Sequence, residues 1–102
     1  MTKTIHISLD DSIRPFDLDV HFRYAWMFRQ KVRFVMDATQ CRNVSVGRIL
    51  SMKEVLDVHR PYSKKYIDHT VILVKSRVAQ FALRAALMII RTERPVYIKL
   101  AK

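Results

Sequence analysis

The stretch "VRFVMDATQCRNVSVGRIL", residues 32–50, changes character half-way along. Its first part, "VRFVMDAT" (32–39), is β-branched and apolar, with Arg33 the dissenting residue, and ends in a polar cluster. It reads as a central strand. From Ser45 the pattern becomes helical. In "SVGRILSMKEVLDVH" (45–59), Val46, Ile49, Leu50 and Leu56, with Met52 or Lys53, form one stripe. Ser45 is a natural N-cap, because its hydroxyl can accept from a free backbone N–H of the first turn. Pro61 is expected to end this run, and "YSKKYI" after it is a basic connector with room for one more helical turn. A strand, a polar loop and a helix start in this order are the repeating unit of an α/β sheet.

The unit recurs on both sides. "TIHISLD" (4–10) alternates, with Ile5, Ile7 and Leu9 on one face, as in a half-buried edge strand. "FDLDVHFRYAWMFRQ" (16–30) has acids at its start and Arg29 and Lys31 at its end, complementing a helix dipole. Leu18, Phe22, Ala25 and Trp26 share a stripe, although "DLDVHFRY" also alternates and leaves a strand reading open. "HTVILVKS" (69–76) holds an unbroken apolar run, Val71 to Val74. Such runs belong to parallel strands covered on both faces. "RVAQFALRAALMIIR" (77–91) is a helix, and "RPVYIKLA" (94–101) a closing strand with Pro95 at its start. The order predicts one α/β domain over residues 1–102, a β-α-β-α-β-α-β chain with a single four-stranded, mostly parallel sheet.

Composition narrows the functional classes. Half of the 102 residues are apolar and one is glycine, so a core is feasible and disorder is not expected. No apolar run reaches the roughly 18 residues that span a bilayer. "MTKTIHISLDD" has no signal-peptide apolar region. The single Cys41 rules out an internal disulfide and suits a reducing, cytoplasmic setting. The formal net charge is +10, and residues 20–102 carry 17 basic against 5 acidic side chains, a local +12. This field favours an anionic partner: nucleic acid, an acidic protein or an anionic surface. No run of consecutive basic residues appears, so a solvated basic surface is the plain alternative. Trp26, Tyr24, Tyr62, Tyr66 and Tyr97 could stack on bases, but most sit at core-compatible spacing.

The last helix carries two apolar stripes. Val78, Phe81, Ala82, Ala85, Met88 and Ile89 fit the core stripe. Leu83, Ala86, Leu87 and Ile90 form a second, on the opposite side. A single small domain has little left to cover that second face, so it is expected to be an interface for a homodimer, a partner protein or a membrane surface; the plain alternative is that "YSKKY" or the first helix packs over it.

The segment 32–50 resembles the central segment of STAS domains, the sulfate-transporter and anti-sigma-factor-antagonist family. Val32, Phe34, Val35 and Met36 match the strand, Asp37 its terminal acid, and "VSVG" (44–47) the turn that opens a helix. The usual Asp-Ser before the glycine is absent here, and so is the family's second N-terminal strand. "IDHTVILVKS" and "RPVYIKL" resemble the later strands. The resemblance implies a non-enzymatic module that binds partner proteins. It also implies a serine at the helix start, here Ser45, on which a kinase acts. A phosphate there would meet free helix N–H groups, with Arg42 and Arg48 placed to contact it. Plain capping by Ser45 is the competing reading. Nucleic-acid binding by the basic field is the alternative function.

Catalytic readings find less support. Asp10, Asp11, Asp37 and Lys75 at strand ends resemble a response-regulator receiver site that would bind Mg²⁺ and take a phosphoryl group on Asp37, yet the lysine comes too early and the strands number four. Arg42 beside Cys41 would favour a thiolate, but no histidine partner is placed by any motif. One glycine leaves no phosphate-binding loop, and the four histidines and Cys41 show no metal spacing. No enzyme, metal or cofactor is therefore expected.

Overall fold

In the computed structural model, which describes residues 2–101, nine elements alternate along the chain. They are β1 (Lys3–Asp10), α1 (Pro15–Trp26), β2 (Val32–Gln40), α2 (Val46–Leu50), α3 (Lys53–Val58), α4 (Arg60–Tyr66), β3 (Ile67–Val74), α5 (Arg77–Ile89) and β4 (Val96–Leu100). The strands form one all-parallel sheet in the order β1-β2-β3-β4. The expected α/β architecture is thus present, with β2 central and β1 at an edge.

Two local expectations change. Residues 16–30, open to a strand reading, form a helix. Pro15 sits in its first turn, and Asp17 accepts from the Arg14 backbone N–H at 2.9 Å, closing a capping box. The run 45–66 is three short helices rather than one helix and a connector. Pro61 opens α4 instead of ending its predecessor, because a proline in the first helical turn loses no hydrogen bond.

Strand order equal to chain order has a consequence. Right-handed crossovers between neighbours in sequence place every helix on the same side of the sheet. Burial agrees. Ile5, Ile7, Val32 and Phe34 pack with Leu18, Phe22 and Ala25 of α1, and Ala38 and Val74 pack with Ala79 and Leu83 of α5. Ile7, Met36, Ile72 and Ile98 are register partners across the helix-covered face. On the other face the rows read His6, Val35, Val71, Tyr97 and Ser8, Asp37, Leu73, Lys99. Among the described residues, no helix lies over them. The unbroken run at 71–74, read as covered on both faces, is therefore sheltered by its own chain on one face only. Val71 and Leu73 stay half-buried between neighbouring strands.

The core is divided. One cluster lies under α1, the other under α5. Between them is an apolar cavity of about 220 Å³, bounded by Leu18, Phe22, Met36, Ile72, Leu83 and Ile90 among others.

Candidate functional site

The carboxyl ends of the strands, where open α/β sheets bind ligands, carry the polar loop. Asp37 folds back on its own turn, accepting from the Thr39 backbone N–H at 2.9 Å and from Thr39 Oγ1 at 2.6 Å. These bonds hold its carboxyl below the ordinary value. Asp10 does the same with the backbone N–H of Ser12 at 2.9 Å and its hydroxyl. Asp11 accepts from the backbone N–H groups of Arg42, at 2.9 Å, and Asn43, at 3.0 Å, which lower its pKa too. Each of the three acids thus serves a turn, and Asp11 ties the loop after β2 to the loop after β1.

Ser45 is the N-cap of α2, accepting from the Arg48 backbone N–H at 3.3 Å. Arg48 does not turn to Ser45. Its guanidinium donates to the Asp11 backbone carbonyl and lies 3.8 Å from the Asp11 carboxylate. Arg42 is exposed and holds Asp11 only through its backbone. The three residues expected around an anion are therefore close in sequence, but Asp11 already engages the arginine nearest the cap. Cys41 is half-buried, and burial, with the nearby Asp11, pushes its thiol up. The expectation that Arg42 favours a thiolate does not hold. Among the described residues, no three His, Cys, Asp or Glu side chains meet at metal-binding spacing.

A buried polar link escaped the sequence. Trp26 Nε1–H donates to His59 Nδ1 at 3.0 Å, and His59 Nε2 lies 2.5 Å from Asp19 Oδ1. The indole can only donate, so Nδ1 is the acceptor and the His59 proton sits on Nε2, facing the carboxylate. His59 is buried, and Asp19 is held below the usual carboxylate range chiefly by this bond. Tyr62 and Tyr66 stack on Trp26 with ring centroids 6.1 Å away. Tyr62 and Tyr66, candidates for base stacking, thus stack on a third, Trp26, although Tyr62 keeps half of its surface exposed; Tyr24 is exposed too and meets Phe28 edge-on. Tyr97, on the bare sheet face beside Lys99, remains exposed.

On α5 the expected faces are exchanged. Leu83, Ala86 and Ile90, assigned to an interface, are buried against the sheet side of their own chain, and Leu87 is half-buried. Outside lie Val78 at 76 %, Phe81 at 75 %, Met88 at 85 % and Ile89 at 58 % exposure, four of the six residues assigned to the core; of the other two, Ala82 is buried as expected and Ala85 half-buried. The buried face is rich in alanine, with Ala79, Ala82 and Ala86, and packs on α2 as well as on β3 and β4. Phe81 and Met88 inside would hold the helix further from all three. Beside the outer stripe, Arg77, Arg84 and Arg91 follow one another at seven-residue spacing. All three are exposed, and among the described residues none joins a salt bridge.

No family model, curated protein or solved structure matches this chain. Among the described residues, no helix is long and apolar enough to cross a membrane.

Proposed function

We propose that the protein is a non-enzymatic interaction module of STAS-like type that docks a protein partner, in the simplest case a second copy, on the outer stripe of α5. The observation that carries the reading is the row Val78, Phe81, Met88 and Ile89, four large apolar side chains standing in water on one helix. A monomer has no use for such a row. The raised Cys41 thiol and the internally bonded Asp37 fit binding better than nucleophilic chemistry. A reducing, intracellular setting suits the single thiol. The Ser45 loop is the regulated element of this reading: a phosphate there would compete with Asp11 for Arg48.

The second reading is binding of nucleic acid, favoured by the row Arg77, Arg84 and Arg91, none of which joins a salt bridge among the described residues. Salt separates the two. Copies of a +10 chain repel one another, so screening should tighten a dimer held by apolar contact. Binding to polyanions should weaken steeply over the same range. Sedimentation velocity across protein and salt concentration is the test. A reversible dimer that strengthens with salt and is lost in Phe81→Gln/Met88→Gln supports the module. A monomer at every concentration, retained on single- or double-stranded DNA, would overturn it in favour of the runner-up.

A further inference from the structure

The cavity between the two core clusters is a space the protein does not fill for itself. Its floor is the helix-covered face of the sheet, at Met36 and Ile72. Its walls are α1, the α2–α4 segment and α5. Nearly all of the lining is aliphatic or aromatic carbon, so a water there would find few partners, and an apolar guest is the natural occupant.

The two ends differ in charge, and this fixes the guest's polarity. At the carboxyl ends of the strands, Arg48 faces Asp10 and Asp11, and its guanidinium is already bound to the Asp11 carbonyl. An anion there would meet two carboxylates. At the amino ends, the lining holds Arg60, Arg91 and Arg94 against the single Glu93. Arg60 pairs with Asp57 at 2.7 Å and Glu93 at 3.2 Å, and Arg94 donates to the Lys64 carbonyl at 2.9 Å. Arg91 is exposed and has no ion pair among the described residues. This end therefore carries positive charge that the protein leaves uncompensated.

We infer that the cavity binds an anionic amphiphile, an unbranched alkyl carboxylate or its like. The chain lies between α5 and the sheet, and the head sits at Arg91 and Arg94. The head gains charge-assisted hydrogen bonds from guanidinium groups that need not leave a carboxylate. The chain gains contact with the apolar walls, among them Leu18, Phe22, Leu83 and Ile90. The outer stripe of α5 plays no part, so this inference and the docking proposal can fail separately.

Dodecanoate is the probe, with dodecanol and octanoate as partners in the comparison, measured by calorimetry and thermal unfolding on the full chain. One dodecanoate should bind per chain and raise the Tm. Dodecanol, lacking the charge, and octanoate, lacking chain length, should each bind at least about tenfold more weakly. Arg91→Glu should bring dodecanoate to the level of dodecanol and leave dodecanol unchanged. Two variants that fill the space, Leu87→Trp and Ile72→Phe, should bind neither molecule, and circular dichroism identifies whichever of them folds. Absence of saturable binding to the wild type overturns the inference. So does undiminished binding to a folded, filled variant, which would mark adsorption to the outer surface. Weakening by Arg48→Gln in place of Arg91→Glu overturns the assigned polarity.

Discussion

The inner and outer stripes of α5 are made of the same kind of residue and have opposite fates. Inside are Ala79, Ala82, Leu83, Ala86 and Ile90; outside are Val78, Phe81, Met88 and Ile89. Hydrophobicity does not separate them. Side-chain volume does so only in part: three of the five inside are alanine, which allows close packing, yet Ile90 lies inside and Ile89 outside. The outer stripe is then surplus to folding, and surplus apolar surface on one helix is what a docking partner would cover.

The sharpest way to break this comparison is to truncate one residue on each side. Leu83→Ala removes packing against Ala38 and Val74 and should destabilise the fold by about 2–5 kcal/mol in urea. If it costs no more than Phe81→Gln, the stripes are not distinct. Next, Ala86→Leu adds volume where none is free and should cost about 1–3 kcal/mol, whereas Ala85→Leu, beside the outer stripe, should be close to neutral. At the other helix start, Ser45→Ala should cost about 1 kcal/mol, the usual value of an N-cap hydroxyl.

Acid should have a distributed effect with a definite sign. Asp11, Asp19, Asp37 and Asp57 are all held below the ordinary 3.8 by bonds made only in the folded chain. Their folded pKa lies below the unfolded one. Their contribution is therefore complete above the ordinary carboxyl range, and is lost as pH falls below 3.8 through the lowered values. Urea midpoints between pH 6 and pH 3 should decline only at the acid end, and a decline centred well above that range would contradict the assignment. The smallest effect on folding belongs to the outer stripe. Phe81→Gln/Met88→Gln should leave monomer stability within about 0.5 kcal/mol while removing association.

Element order was legible because strand-like apolar runs and helical stripes succeed one another from Thr4 to Ala101, although residues 16–30 fit both patterns and the split of 45–66 into three helices left no mark. The strand at 32–39 and the cap at Ser45 came directly from residue type. What periodicity cannot supply is direction. Two apolar stripes on α5 look alike on a helical wheel, and alanines fall on both, Ala82 and Ala85 on one and Ala86 on the other, so size did not tell them apart. The bare sheet face was hidden in the same way, since Val71 to Val74 are apolar on both sides and nothing in the run says which side a helix covers. The Trp26–His59–Asp19 link spans 33 and 40 residues of sequence. No local pattern connects groups so far apart. Pro61 was ambiguous by nature, because proline both ends helices and begins them. The cavity left no trace in the sequence, since every residue lining it is an ordinary core residue or an ordinary loop residue.

The methionine methyl groups offer the most direct test of the docking surface. Met27, the C-cap of α1, and Met88, on α5, are exposed at 76 % and 85 %, while Met36 and Met52 are half-buried. Methyl spectra of methionine-labelled wild-type protein, recorded from dilute to concentrated solution, should show the Met88 signal moving and saturating while those of Met27, Met36 and Met52 stay fixed. A Met88 signal that does not move, or one that moves only together with Met27, would contradict a binding surface on α5.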